Sequence, residues 1–552
     1  MEVSPSSKQA NAARFDVVFG CKYQDVRVIT YSKCHQLLTP CGVLQVFMTI
    51  RSLKFLNYRI PFRIPFRTYA LMSQKNGSNH RALNKDNINP AVVRAEYAVR
   101  GELAIRAETL RSELKEGRKH PFKNIVNANI GNPQQLDQQP ITFFRQVVSI
   151  LQYPELLHTK GIFPKDVLDR ATLLQKEIGS LGAYSHSQGV PHIRKDVADF
   201  IRVRDGDIAA DPNDIFLTAG ASQGVSQLLQ VICASPTTGV LIPIPQYPLY
   251  TAALALMNTT PVPYILNEKD HWGTDVPAMH EGVRKARSDG TDVKAVVIIN
   301  PGNPTGACLS RSEMEAVIDL AASERLVLMA DEVYQTNIFK GEFISFKKVL
   351  RELQQRDSKY NHVELVSFHS TSKGMLGECG QRGGYFELVG FDPEVVEEIY
   401  KLASISLCAP VAGQVFVDLM VKPPQPGDES YDVYEQELKR TNDGLTERSC
   451  RLYEAFQRME GVECQEPQGA MYLFPTINLP QKALEQAKNN GKSPDELYCL
   501  QLLDATGICM VAGKGFGQAE GTFHVRTTFL PPGTEWIESI EQFHQEFMKK
   551  FA

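Results

Sequence analysis

Between residues 215 and 374 the sequence alternates short apolar runs with segments of helical periodicity. Runs such as 240–244 and 326–330 are apolar at every position, which is typical of strands buried on both faces of a sheet. The segment 310–321 between them begins with a capping box and then repeats apolar residues at helical spacing. This alternation predicts a parallel sheet that is covered by helices on both sides.

Sheets of this kind bind ligands beyond the carboxyl ends of their strands, and this chain carries a polar or glycine-rich turn at each such end. The candidate residues there are Ala221, Ser222 and Gln223 after the strand 215–218, Tyr247 after 240–244, Asn303 after 293–299, Asp331 and Tyr334 after 326–330, and Ser370 and Lys373 after 362–368. We therefore expect the site at this edge of the sheet.

Lys373 follows three hydroxyl residues and precedes a glycine-rich tail. Burying a lysine without a partner is costly, so a lysine at the end of a buried strand needs a chemical reason. A Schiff base with an aldehyde cofactor is one such reason. Taken alone, Lys373 would fit an exposed loop better, but the other motifs favour a lysine that binds a cofactor.

The remaining strand ends match a cofactor that also carries a phosphate and a ring nitrogen. The turn 219–223 offers backbone amides and a helix N-terminus to the phosphate, and Arg382 could pair with it bidentately. Asp331 could pair with a protonated ring nitrogen, and Tyr247 could stack on the ring. Each residue taken singly would also suit an ordinary turn, loop or surface position.

In this order and at these intervals, the motifs resemble those of the class I/II aminotransferases, which have the fold-type I architecture and use pyridoxal 5'-phosphate. The resemblance covers residues 90–550. It implies an α/β fold with a mostly parallel seven-stranded sheet covered by helices, and a smaller α+β domain from the N- and C-terminal parts. It also implies a homodimer with shared active sites that acts on amino acids and 2-oxo acids.

The resemblance assigns roles to individual residues. Lys373 would form the Schiff base and then carry the proton. The cofactor would be bound by Tyr184 from the partner subunit, Ala221, Ser222, Gln223, Tyr247, Asn303, Asp331, Tyr334, Ser370, Lys373 and Arg382. The substrate would be bound by Arg526 through its carboxylate, by Asn303, and by Gly131, which would leave room for a small side chain.

Within the family, the runs 243–250, 368–374, 377–385 and 523–531 are similar to the alanine aminotransferases. They predict a ping-pong reaction between L-alanine and 2-oxoglutarate. Another class I/II aminotransferase, acting on glutamate and glyoxylate or on aromatic amino acids or kynurenine, is an alternative, as is a related fold-type I lyase. A non-catalytic regulator is disfavoured because no helix-turn-helix pattern precedes the body.

Composition and charge disfavour several other classes of function. The net charge of −4 does not favour nucleic-acid binding, and no apolar run is long enough for a membrane span. Eleven cysteines without C-x-x-C spacing favour a reducing compartment and no metal site. We expect an N-terminal segment at 1–80, an arm and part of the small domain at 81–210, the cofactor-binding domain at 211–395, and the C-terminal small domain at 396–552.

The N-terminal segment has its own composition. Residues 26–85 contain ten Lys or Arg and no Asp or Glu. In residues 48–71 the arginines are interleaved with Leu, Ile and Phe, a pattern typical of mitochondrial transit segments. We expect residues 1–80 to be disordered or cleaved and the product to be mitochondrial, with a cytosolic form if translation starts at Met72. A plain basic tail is the alternative.

Overall fold

The computed structural model describes the backbone of residues 37–38 and 44–45, and residues 82–95 and 101–552 with their side chains. The chain divides into two compact units, Met1–His80 and Arg81–Ala552. In the first unit, strands β1 (Leu37–Leu38) and β2 (Leu44–Gln45) pair antiparallel. The predictions for residues 48–71 lie outside the described residues, and the domain boundaries at 210 and 395 stay predictions.

The second unit alternates strands and helices along most of its length. Its strands are β3 (Val126–Asn127), β4 (Ile215–Thr218), β5 (Thr238–Ile244), β6 (Thr260–Asn267), β7 (Gly273–Thr274), β8 (Asp292–Ile299), β9 (Val327–Asp331), β10 (Leu365–Ser370), β11 (Gly384–Val389), β12 (Val462–Glu463), β13 (Tyr472–Leu473), β14 (Thr476–Ile477), β15 (Ile508–Cys509), β16 (Val511–Ala512) and β17 (Val525–Thr528).

Its helices are α1 (Pro90–Arg94), α2 (Glu102–Lys115), α3 (Thr142–Gln152), α4 (Lys165–Ile178), α5 (Pro191–Arg204), α6 (Ala221–Ile232), α7 (Leu249–Met257), α8 (Val276–Ser288), α9 (Arg311–Glu324), α10 (Phe346–Arg356), α11 (Pro393–Ile405), α12 (Val411–Val421), α13 (Tyr431–Arg458), α14 (Gln481–Asn489), α15 (Pro494–Thr506) and α16 (Glu535–Phe551). None of the described helices is long and apolar enough to cross a membrane.

The central sheet has the strand order β4-β11-β10-β9-β8-β5-β6-β7. Strands β11 and β7 run antiparallel to their neighbours, and the other six are parallel to one another. Apolar side chains of α6, α7 and α11 cover one face, and those of α8, α9 and α10 cover the other. The mostly parallel seven-stranded sheet is therefore confirmed, with the two-residue β7 as an added edge strand.

Another hydrophobic core lies beside this sheet. Strands β13, β17 and β16 form a small antiparallel sheet, and β15 pairs in parallel with β3 from the N-terminal part. Helices α13, α15 and α16 pack their apolar residues on these strands. The N- and C-terminal parts thus share an α+β lobe, as expected.

Two elements differ from those that the sequence predicts. Residues 91–116 are rich in Ala, Glu, Arg and Leu, which predicts one continuous helix. In the structure α1 ends at Arg94 and α2 begins at Glu102, and residues 96–100 lie outside the described part. Strand β6 was not predicted because it contains Pro261 and Pro263. Proline has no backbone N–H, so a strand tolerates it only where no neighbouring strand needs that hydrogen-bond donor. Strand β7 pairs only with the far end of β6, beyond both prolines.

The register of the sheet fixes where the site lies. Asp331 at the end of β9 is level with Ile299 of β8 and Phe368 of β10. The carboxyl ends of the three central strands therefore meet at one edge, and the turns that follow them face the smaller lobe.

Candidate active site

Asp331 is buried at the end of β9. Its Oδ2 accepts a hydrogen bond from the Tyr250 hydroxyl at 2.9 Å, while its Oδ1 is buried without a hydrogen-bond partner among the described residues. Burial raises the pKa of Asp331, and the hydrogen bond from Tyr250, the backbone N–H of Val333 and the charge of Lys373 oppose that rise. A buried carboxylate oxygen without a partner is costly in free energy, so Oδ1 is a candidate acceptor for a cationic N–H group of a ligand.

The N-terminus of α6 has no side-chain cap. Gly220 precedes it with a φ of 81°, which glycine tolerates, and a Cβ at Gly220 would collide with the guanidinium of Arg382. Arg382 Nη2 donates to the carbonyl oxygen of Ala219 at 2.7 Å and to Ser222 Oγ at 3.2 Å. A guanidinium and an uncapped helix N-terminus thus converge, an arrangement that binds phosphate.

Three other expected cofactor-binding residues lie around this turn. Ala221 opens α6, and the side chain of Gln223 supports the turn from within by accepting the Ala219 N–H at 2.6 Å. Ser370 ends β10 opposite Gly384, whose backbone packs directly against Gly220. The sheet therefore brings Ser370 beside the start of α6.

Lys373 follows β10 and is partly buried, with its Nζ 5.6 Å from the ring centroid of Tyr334. Burial lowers the pKa of Lys373, but Tyr472, Tyr247 and Cys379 raise it, and the net direction is upward. Its amine therefore lies among the side chains that follow β5, β9 and β10.

Asn303 connects the sheet edge to the smaller lobe. Its Nδ2 donates to the Tyr334 hydroxyl at 3.2 Å, and its Oδ1 accepts from Arg526 Nη1 at 3.1 Å. The Tyr334 hydroxyl in turn donates to that of Tyr472 at 3.5 Å, and burial raises the pKa of Tyr334 well above its usual value. Tyr334 is therefore a neutral phenol that can donate to an anionic oxygen.

Arg526 is only 2% exposed, although arginine in a strand of alternating pattern is usually at the surface. Its guanidinium lies 4.3 Å from the ring centroid of Tyr472 and 4.5 Å from that of Phe516. Nη2 donates to the carbonyl oxygen of Asn129 at 2.6 Å, and Nε has no partner among the described residues. No described carboxylate pairs with this buried cation, which makes it a candidate to bind a ligand carboxylate.

Two residues of the site, Tyr250 and Tyr472, were not identified from the sequence. Tyr250 lies within the 243–250 run that carried the resemblance, so a signal for it was present. Tyr472 lies in β13, and a Cβ on Gly131 would collide with its hydroxyl. Gly131 therefore makes room for Tyr472 in this structure, and its proposed role toward the substrate stays a prediction.

Two expected cofactor residues sit at the margin of the site. Tyr247 is partly buried and close enough to raise the pKa of both Tyr250 and Lys373. Tyr184 is 78% exposed on the loop before α5, where it is available to a second subunit. Stacking by Tyr247 and the contact of Tyr184 across a dimer both stay predictions.

Among the described residues, one group could hold a metal ion, and it lies away from this site. His192 and Asp196 of α5 and Asp418 of α12 bring one ligand atom each within 4.8 Å of one another. Lys422 already pairs with Asp196 at 2.8 Å, and Arg170 pairs with Asp418 at 3.2 Å. Two cations thus balance two carboxylates, which leaves little attraction for a divalent ion.

The fold agrees with a family assignment made from the sequence. Residues 153–535 match the family described as Aminotransferase class I and II. This match spans more than half of the chain, so the chain belongs to the class I and II aminotransferase family.

The chain is 52% identical over 480 residues to "Alanine aminotransferase, mitochondrial" of Saccharomyces cerevisiae, covering 85% of this chain and 81% of that protein. It is 51% identical to "Inactive alanine aminotransferase" of the same yeast, covering 85% and 95%. It is 49% identical to "Glutamate--glyoxylate aminotransferase 2" of Arabidopsis thaliana, covering 86% and 98%. A solved alanine aminotransferase from Pyrococcus furiosus matches with a TM-score of 0.65 at 25% identity, covering 84% and 99%.

Proposed function

We propose that this protein is a pyridoxal 5'-phosphate-dependent transaminase that exchanges amino groups between L-alanine and 2-oxoglutarate in two half-reactions. The observation that carries the proposal is the meeting of Lys373, Asp331 and Arg526 in one site. These side chains come from three separate parts of the chain, and each would be costly to bury without a ligand. The yeast relative named as an alanine aminotransferase supports the choice of substrate.

The residues present fit this cofactor. Asp331 Oδ1 would accept the N–H of the pyridinium, and the start of α6 with Arg382 would hold the phosphate. Asn303 and Tyr334 would donate to the phenolic oxygen. Once bound, the cofactor supplies an electron sink next to the carbon that loses its proton.

The chain's own groups would then handle the substrate and the proton. Arg526 would hold the α-carboxylate with its planar fork, and its aromatic neighbours would keep water from the guanidinium. Once the substrate has displaced it, Lys373 would be a free amine. It would take the proton from the substrate Cα and deliver it to the neighbouring carbon of the cofactor. One lysine therefore serves both half-reactions.

Replacing Arg526 with lysine should raise the KM for L-alanine and for 2-oxoglutarate together, by about ten- to a hundredfold, because a charge remains but the bidentate geometry is lost. The absorbance of the bound cofactor should not change. Steady-state kinetics with both substrates and a cofactor titration check this. Weaker cofactor binding with normal substrate KM values would contradict the proposed role.

A second candidate function is transfer between glutamate and glyoxylate, which the Arabidopsis relative favours. The two reactions share the cofactor residues and differ in the 2-oxo acid they accept. To separate the two candidates, kcat/KM is measured for L-alanine with 2-oxoglutarate, for glutamate with pyruvate and for glutamate with glyoxylate. A glyoxylate preference above about tenfold, or 1.4 kcal/mol, would favour the second candidate.

A homodimer with shared sites is part of the proposal. Tyr184, Ile405 and Leu407 are large apolar side chains that are more than half exposed. The loop carrying Tyr184 contacts α11 through the stacking of His186 on Tyr400, with ring centroids 5.4 Å apart. An exposed apolar patch of this kind favours a protein interface.

We further propose that residues 48–71 direct the product to mitochondria, as the name of one yeast relative suggests for that protein, with a cytosolic form if translation starts at Met72. A fluorescent protein fused behind residues 48–80 should enter mitochondria, and changing the five basic residues of 48–71 to Gln should abolish import. Microscopy of both fusions checks this. A diffuse cytosolic signal from the unchanged fusion would leave only a basic tail.

A further inference from the structure

His524 is a buried histidine two residues before Arg526 and takes no part in the chemistry proposed above. Its Nε2 lies 3.2 Å from Glu268 Oε2, and its Nδ1 lies 3.0 Å from Gln518 Oε1. The amide of Gln518 is oriented by its own Nε2, which donates to Asp495 Oδ2 at 3.4 Å. Both ring nitrogens therefore face acceptors, and both contacts are hydrogen bonds only when the imidazole is protonated.

The partner of this histidine comes from a different part of the chain. Glu268 begins the 3₁₀ helix that follows β6 of the central sheet, whereas His524 and Gln518 belong to the smaller lobe. Thr476 of the smaller lobe also donates to the carboxylate of Glu268, and these contacts with His524 and Thr476 hold the pKa of Glu268 below its usual value although burial raises it. Glu268 therefore reaches His524 directly, and the pair joins the two lobes.

An unbroken series of ring contacts leads from His524 to Arg526. The imidazole stacks on Phe474 with ring centroids 4.7 Å apart and parallel planes. Phe474 meets Phe516 edge to face at 5.9 Å, and Phe516 lies against the guanidinium of Arg526. Phe516 is also tied to the central sheet, because its carbonyl oxygen accepts the N–H of Gln246 at 2.8 Å.

We propose that His524, held by Glu268, is a positioning residue that fixes Phe474 and Phe516 and thereby the guanidinium of Arg526. This rests on the proposed function, in which Arg526 binds the substrate carboxylate. The pair holds the smaller lobe against the central sheet at the place where the substrate must be clamped. Small errors in such a clamp are costly, since catalysis depends on the orientation of the bound substrate.

Two variants test the pair in the full-length, cofactor-loaded protein. Glu268→Gln keeps the shape but removes the charge, and His524→Phe keeps the stacked ring but removes both hydrogen bonds. Each should raise the KM for L-alanine and 2-oxoglutarate together by about three- to tenfold, the scale of a weakened charge-assisted contact, with kcat changed less. The double variant should be no worse than the poorer single variant, because both remove one interaction.

The matched control is Glu324→Gln, which breaks another Glu–His contact, with Glu324 Oε1 2.8 Å from His280 Nδ1 between helices α9 and α8 of the central domain. It should leave both KM values unchanged. Unchanged KM values in Glu268→Gln and His524→Phe, or a lowered melting temperature with normal KM in the folded protein, would overturn the positioning role. If Arg526→Lys also left KM unchanged, the proposed function of Arg526 would fail as well, so the two failures can be told apart.

Discussion

Replacing Lys373 with alanine is expected to lower kcat by more than about a thousandfold, because the change removes both the covalent link to the cofactor and the group that moves the proton. The absorbance that the lysine–cofactor bond gives the resting protein should disappear. The variant should still bind the cofactor, since the start of α6, Arg382 and Asp331 are intact. Spectra of the purified variant and single-turnover assays measure these effects.

A suitable control is Lys340→Ala, because Lys340 is an exposed lysine that pairs with Glu466 away from the site. It should keep the spectrum and the rate. Near-normal turnover in the Lys373 variant would contradict the whole account of the site.

The second large effect is expected from Asp331→Ala. Without its carboxylate the ring nitrogen of the cofactor loses its proton, and the ring becomes a poor electron sink. We expect kcat to fall by about a hundred- to a thousandfold, as for removal of a main electrostatic stabiliser, while some cofactor stays bound. Rates with L-alanine and a cofactor titration provide the measurement.

Tyr250→Phe is a milder test of the same carboxylate. It removes only the hydrogen bond to Oδ2 and leaves the carboxylate in place. A loss of about tenfold is expected, the lower end of what one hydrogen bond to a charged group contributes. If Asp331→Ala lost less than Tyr250→Phe, the carboxylate would not serve the ring nitrogen.

The sheet and its strand-end residues could be predicted because their signals are local. Apolar runs, turn residues and the capping box at Ser310 each depend on a few neighbouring positions, and the parallel order of strands then brings Asp331, Asn303 and Lys373 to one edge. Strand β6 escaped prediction because its prolines are tolerated only through the extent of β7, which is a tertiary property.

The other half of the site could not be predicted from local pattern. Arg526, Tyr472 and Phe516 meet through a small sheet and a 3₁₀ helix that have weak signals of their own. The pattern around Arg526 fits a surface residue equally well, and only the family resemblance singled it out. Its burial between two rings depends on contacts between lobes, as do the roles of Tyr250 and His524.

The central claim is tested most directly by one half-reaction. The cofactor-loaded protein is mixed with L-alanine in the absence of any 2-oxo acid, and pyruvate is measured together with the cofactor spectrum. We predict about one pyruvate per active site and a shift of the spectrum that 2-oxoglutarate then reverses, as a ping-pong mechanism requires. No pyruvate and no spectral change with L-alanine, from a protein that binds the cofactor, would contradict the account.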